Sequence, residues 1–330
     1  MRLTGAVLSG KGFDFMWIPI VIAVLLVLFV AFTAVGVKLS ILRPKSDEID
    51  FEKLSEVHKI RYKIRQRNNQ YLYDKNPEDV SIEDRFGHTL RAWFVPGRES
   101  KKFVICVHGY KCNGPDEFSH MLPFYNERLG FNYLLPDHAA HGRSTGKFIG
   151  FGAYEAENVL LWVDYLTKRF GEDIEIVLHG ISMGAATVML CNESDPQPQV
   201  KAVIEDCGYT CAYDILDFTQ KSMVGFTVPM MTRCINLFCR VCLGYDMRKA
   251  DCLGRMPQAK VPMLFIHGTN DPTVPFEMGE KLFAACTVPK DHMWVKDAIH
   301  AYAYYDAKDE YEEKVIDFLK PCLKQGATER

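Results

Sequence analysis

Gly180-Ile181-Ser182-Met183-Gly184 is the feature that most narrows what this chain can become. It stands between an apolar run, EIVLH, and a helix-forming run, AATVML. A strand that turns sharply into a helix with serine at the corner holds that serine at strained backbone angles, so its neighbours must be small. Gly180 and Gly184 supply the room and Ala185 extends it. A helix that starts at the corner also aims free N–H groups and the positive end of its dipole at the serine.

The rest of the chain supplies a sheet for that corner. Residues 80–83 and 89–95 (TLRAWFV) read as a hairpin around the DRFGH loop with its Gly87. Strands are then expected at 102–108, 132–136, 175–178, 200–205, 261–267 and, shortest, 292–295. Helices are expected between them, at 116–129, 153–169, 183–191, 276–285 and 304–319. Strands apolar on both faces and alternating with helices predict an α/β fold, a mostly parallel central sheet covered on both sides. Residues 211–255 break the rhythm, being rich in Met, Cys and Phe, and predict a small helical cap over the C-terminal edge of the sheet.

Ahead of this lies a run from residue 15 to 37 of 23 residues without a charge. As a helix it would span about 30 Å of hydrocarbon. Pro19 falls in its first turns, and Trp17 sits at one end as interfacial anchors do. A signal peptide has an apolar core of about 7–15 residues and a small-x-small cleavage site; this core is longer, so an uncleaved, single-pass anchor in the cell membrane is expected. The expected organisation is a tail at 1–14, the transmembrane anchor at 15–37, a juxtamembrane linker and helix at 38–74, and a catalytic domain at 75–325. Within the linker, Phe51, Leu54, Val57, Ile60 and Ile64 predict an amphipathic helix over 46–72, packed on the domain. Lys38, Arg43, Lys45 and Lys53 after the span favour a cytoplasmic domain by the positive-inside rule.

The formal net charge is −3 and no basic block is present, which excludes nucleic acid as an expected partner. The 11 cysteines are scattered, several inside apolar runs, which is no disulfide framework. Neither Cys207 and Cys211 nor Cys234, Cys239 and Cys242 match a zinc spacing. No metal or organic cofactor is expected, and no feature of the sequence specifies an oligomeric state.

A serine hydroxyl needs a base, and the base an orienting carboxylate. In folds of this type the chain order is nucleophile, acid, histidine. Asp271, in the GTNDPTVP loop after the strand VPMLFIHG, and His300, before the final helix, stand where that order requires. Asp206, in IEDCG, is the rival acid, and Asp297, three residues from His300, reads as a surface acid that could contact it locally. His179 and His267, each at the end of an apolar run, read as packed, hydrogen-bonded histidines. Two backbone N–H groups are needed for an oxyanion, and Met183 and Tyr110 are the candidates. Lys111 reads as a solvated lysine. The loop DHAAHGRSTG, 137–146, reads as structural rather than metal-binding, with Arg143 tying loops together.

The motifs VICVHGY, DHAAHGRSTG, LHGISMGAATVM, FIHGTNDPTVP and the late His300 resemble the α/β-hydrolase superfamily over about residues 75–320. Within it the chain is similar to a bacterial group of membrane-associated serine hydrolases, esterase/lipase or prolyl-oligopeptidase-like. That resemblance implies a Ser182–Asp271–His300 triad, oxyanion donors Tyr110 and Met183, and an external placement, opposite to the charge bias. The second loop departs from the group's usual Asp-x-Arg-Gly-x-Gly-x-Ser, with Ala139-Ala140 where Arg-Gly often stands. The expected activity is cleavage of small acyl esters or thioesters through an acyl-enzyme. A peptidase or amidase of the same fold is the alternative, and a non-catalytic binding protein is a further one. No added propeller is evident in the chain, which favours the ester reading.

Overall fold

The computed structural model describes residues 17–43, 56–98, 101–193 and 197–324. Eight strands form one sheet: β1 Glu78–Glu83, β2 Thr89–Val95, β3 Lys102–Val107, β4 Asn132–Pro136, β5 Glu175–Ile181, β6 Val200–Asp206, β7 Met263–Gly268 and β8 Lys290–Val295. Their order is β1-β2-β4-β3-β5-β6-β7-β8. The β1–β2 and β2–β4 pairs are antiparallel, and every pair from β4–β3 to β7–β8 is parallel. The helices are α1 Trp17–Ser40, α2 Glu56–Asp74, α3 Gly114–Phe118, α4 Glu155–Phe170, α5 Met183–Glu193, α6 Ala212–Val224, α7 Pro229–Phe238, α8 Cys252–Arg255, α9 Phe276–Ala285, α10 Ala303–Asp306 and α11 Lys308–Leu319.

Every residue of β5 and β7 is buried, as the unbroken apolar runs require of strands covered on both faces. Alternate side chains then feed two cores. Phe103, Ile105, Ile176, Leu178 and Phe265 join Trp162 and Val159 of α4 on one face. Val104, Cys106, Val177 and Leu264 join Leu72 of α2 and Tyr311 and Val315 of α11 on the other. The chain leaves β3 for β4 on one side, then crosses back from β4 by way of α4 to β5 on the other side of β3. The carboxyl ends of β3 and β5 therefore flank the point where strand order reverses, and ligands of open α/β sheets bind in that crevice.

The first hairpin forms as expected, Asp84 Oδ1 accepting from the Phe86 and His88 amides at 2.9 and 2.8 Å. Two expected helices are broken. The segment 116–129 divides into α3, a 3-10 turn Ser119–Met121 and a π turn Pro123–Arg128, because Pro123 lacks an N–H and its ring crowds the carbonyl four residues back. The segment 304–319 breaks at Ala307 (φ −140°, ψ 49°), which lets the Tyr304 hydroxyl donate to Glu312 Oε1 at 2.7 Å. The juxtamembrane helix is described from Glu56; the expected part over 46–55, with Phe51 and Leu54, lies outside the described residues, as do the tail, Phe15 and Met16. α2 lies on the domain, with Leu72 buried and Asn69 Nδ2 donating to Asp116 Oδ1 at 2.6 Å.

α1 is long and apolar enough to cross a bilayer, and most of it is exposed. Its C-terminal end is built into the domain rather than tethered to it. Val37 and Ile41 are buried. Ile149 N donates to Ile41 O at 2.7 Å, and Arg43 donates to the carbonyls of Ser144 and Gly142. Residues 212–258 form α6, α7, α8 and short turns between β6 and β7, and α7 packs against α1. A Cβ on Gly36 would lie 2.2 Å from Met231 Sδ, so the two helices meet at a glycine.

Candidate active site

Ser182 sits between the last residue of β5 and the first of α5 with φ +58°, the strained corner that the motif predicts. Its amide donates to Asp206 O at 2.8 Å, tying the corner to β6. A Cβ on Gly180 would fall 2.2 Å from Gly184 O, and one on Gly184 would fall 1.8 Å from Val107 O. The two glycines thus let the elbow close on itself and on β3.

Three side chains from three separate loops converge there. His300 Nε2 lies 2.9 Å from Ser182 Oγ, and His300 Nδ1 lies 2.7 Å from Asp271 Oδ2. Asp271 Oδ1 accepts from the Thr273 and Val274 amides at 2.8 and 2.9 Å, so the loop's own backbone aims the carboxylate. His267 Nε2 donates to Val274 O at 3.0 Å and lies 3.5 Å from Asp271 Oδ2. Burial pushes the Asp271 carboxyl up, but hydrogen bonds from His267 and His300 outweigh it and hold the group well below the usual carboxylate range. An ionised acceptor at Nδ1 keeps the proton there and leaves Nε2 as acceptor for the serine hydroxyl.

An expected result follows for Asp271→Asn. The amide oxygen can still accept from Thr273 and Val274, which turns the NH₂ group toward His300 and forces the wrong tautomer. Turnover of a water-soluble ester falls by about 10⁴-fold with the fold intact; a loss of less than about tenfold in steady-state kinetics contradicts this role.

The loop after β3 lies against the elbow, a Cβ on Gly109 falling 3.3 Å from Ser182 Cβ. Gly109 N donates to Glu117 Oε2 at 3.3 Å and Lys111 N to His141 Nε2 at 3.1 Å, so the amides on both sides of Tyr110 are held by side chains. Met183 N–H opens α5, where helix amides have no intrahelical partner. The Tyr110 hydroxyl donates to Ser40 O at 2.6 Å and Lys111 Nζ to Leu39 O at 3.3 Å. Lys111 is exposed, and its ammonium also reaches the end of α1.

Neither Asp206 nor Asp297 contacts His300 by a hydrogen bond. Asp206 Oδ2 accepts from the Tyr311 hydroxyl at 3.0 Å. Asp297 is exposed, its amide on Thr269 Oγ1. His179 is buried between the Tyr125 and Tyr311 hydroxyls, at 2.8 and 3.0 Å. Since Tyr311 donates to Asp206, it accepts from His179 Nε2–H, and Tyr125 donates to Nδ1. In the second loop, Asp137 accepts from the Gly114 and Arg143 amides, and Arg143 stacks on Trp93 and pairs with Asp79. Those contacts are structural. Cys207 offers a thiol within 4.8 Å of Asp271 and His300 ligand atoms, yet no ion is needed to hold that pair together. All eleven cysteines are free. A cavity of about 390 Å³ lies between the first hairpin and the 242–245 segment, lined by Phe86, Phe148, Tyr154 and Tyr245, and none of the three converging side chains lines it.

Sequence reasoning missed the layer behind the site. Tyr311, the Ser40 carbonyl and Glu205 come from distant segments, and no local pattern marks them. Burial raises Glu205 from the ordinary 4.5 to about 8 and Asp206 to about 6. A carboxyl whose folded value is raised keeps its proton after the unfolded chain has lost it. Its contribution is fully present below the unfolded value and is lost as pH rises toward the folded one. Stability should therefore fall between about pH 5 and about pH 8, by up to about 1.4 kcal/mol per pH unit from Glu205. In thermal melts Glu205→Gln should flatten that decline; unchanged pH dependence would count against a protonated Glu205.

Residues 150–326 match the model of the prolyl oligopeptidase family. The uncharacterized protein YqkD of Bacillus subtilis is 26% identical over 238 residues, 72% of this chain and 77% of that protein. The human alpha/beta hydrolase domain-containing protein 17B is 24% identical, over 65% and 66% of the two chains. Among solved structures, the Pyrococcus furiosus esterase Pf2001 superposes with TM-score 0.62 at 22% identity, covering 76% of this chain and 94% of the esterase. A puromycin-hydrolyzing peptidase of Mycobacterium tuberculosis superposes with TM-score 0.58 at 16% identity, over 76% and 40%. These likenesses give the α/β-hydrolase fold.

Proposed function

This chain belongs to the prolyl oligopeptidase family and is a serine hydrolase of ester or amide bonds, and from that premise we propose that Ser182, His300 and Asp271 are its triad and carboxylic esters or thioesters its substrates. The single observation that carries the triad is the unbroken relay from Ser182 Oγ through His300 to Asp271, at 2.9 and 2.7 Å. His300 takes the hydroxyl proton as Oγ attacks the acyl carbon, and Asp271 stabilises the resulting imidazolium. The developing oxyanion accepts from the Tyr110 and Met183 N–H groups at the positive end of α5. Collapse expels the alcohol or thiol with the proton from His300. Water, with His300 again as base, then releases the acid.

An ester or thioester leaving group departs with less help than an amine, and the name of the Pyrococcus esterase agrees with that preference. The family description and the puromycin-hydrolyzing peptidase favour amides as the second reading. A panel of short and long acyl esters, thioesters and peptide amides decides between them. Esters or thioesters should lead in kcat/KM; selective cleavage of peptide amides would overturn the substrate class.

In this reading α1 is an uncleaved single-pass anchor, residues 75–325 are the catalytic domain, and the helices of 211–255 are a cap beside the site. The burial of Val37 and Ile41 and the packing of α7 on α1 support an anchor that stays with the domain.

A further inference from the structure

Outside α1, nine large apolar side chains are exposed among the described residues, and five of them, Met223, Phe226, Met230, Leu237 and Val241, fall in one stretch of 19 residues. Met230, Leu237 and Val241 are seven and four apart, so they share a face of α7 and the turn that continues it, an apolar face that also carries the exposed Arg233. That face adjoins α1. Between them runs an open apolar groove of about 510 Å³, walled by Phe29, Val30 and Val37 on one side and Leu237, Phe238 and Val241 on the other.

The height of the groove along α1 says what fills it. α1 rises about 1.5 Å per residue, so Phe29 lies about 12 Å below Val37 along the axis. Val37 is the last residue of the uncharged run, and Lys38 is the first charge after it. If α1 spans a bilayer, the part of the groove from Phe29 to Val37 stands at the depth of the hydrocarbon, where no water meets it, and its other end at Lys38 and Leu42 reaches the headgroups. Lys38, exposed and next after the uncharged run, lies at the level where lipid phosphates would. We propose that the 223–241 face of the cap is immersed in the bilayer beside α1 and that acyl chains of phospholipids fill the groove. This rests on the anchor reading of α1. The cap is then an interfacial surface like an amphipathic helix lying in the membrane plane. The bond from Tyr110 to Ser40 O holds the oxyanion loop about 5 Å along the axis beyond Val37.

Indole quenching separates the two claims. The full chain is reconstituted in phosphatidylcholine vesicles, plain or brominated on the upper acyl chain. Trp17 reports the anchor. Phe226→Trp, in a Trp17→Phe background, reports the cap; Phe226 is 63% exposed, so the change disturbs no packing. Met230→Trp repeats the reading at a second exposed position. The expected result is a loss of emission at 226 and 230 in brominated vesicles comparable to that at Trp17, above the background from Trp93, Trp162 and Trp294. Quenching of Trp17 with none at 226 or 230 overturns the cap contact and leaves the anchor. Quenching at none of the three overturns both. Quenching at 226 and 230 without Trp17 overturns the anchor, and with it the placement of the face beside a spanning α1.

Discussion

Ser182→Ala should lower kcat on a soluble ester by about 10⁴- to 10⁶-fold while leaving the fold and KM nearly unchanged. The hydroxyl is the only atom removed. Alanine tolerates the +58° φ about as well as serine does, each at a cost of about 1–2 kcal/mol. The amide bond to Asp206 O and the α5 helix are unaffected. His300 is partly exposed, so water replaces its lost partner. Retention of a tenth of the activity would mean that another group carries the reaction.

Gly184→Ala should do the opposite, costing stability rather than chemistry alone. The new Cβ would lie 1.8 Å from Val107 O, 2.6 Å from its carbonyl carbon and 2.8 Å from His108 O. All three are backbone of β3 and its loop, so no rotamer relieves the clash. Either β3 moves away from β5 or the elbow opens, and both break the centre of the sheet. Destabilisation above about 4 kcal/mol is expected, seen as a collapsed urea midpoint or as insolubility. Gly225→Ala is the control. It also replaces a glycine, at φ +86°, but nothing lies within 4 Å of the new atom, so only backbone strain of about 1–2 kcal/mol is expected. Equal stability of the two variants would contradict the close approach.

The contrast between these glycines also shows what could be read from the sequence. The elbow is a local device, with its strand, glycines and helix contiguous. The parallel strands are equally plain, because a strand covered on both faces must be apolar throughout, as in KFVICVH and MLFIHG. Asp271 and His300 were legible because chain order and strand-end position single them out. Features held by distant partners were not. His179 lies between Tyr125 and Tyr311, 54 residues before it and 132 after it. Tyr110 was named for its backbone, but its hydroxyl ties the loop to Ser40 at the end of α1. The stretch after residue 37 read as a linker by composition, yet Ile41 is buried in the domain. The helix over 116–129 is an error of another kind. Pro123 inside that segment lacks an N–H and crowds the carbonyl four residues back, so the segment cannot continue as one helix.

The most direct measurement of the central claim is covalent labelling of the full chain by a fluorophosphonate, with the adduct located by peptide mass spectrometry. The reagent needs a serine oxygen activated by a base and an oxyanion site to receive the phosphoryl oxygen. One adduct, on Ser182, lost in Ser182→Ala and strongly slowed in His300→Ala, is the predicted result. No adduct on the folded protein, an adduct on another serine, or equal labelling of Ser182→Ala would contradict it.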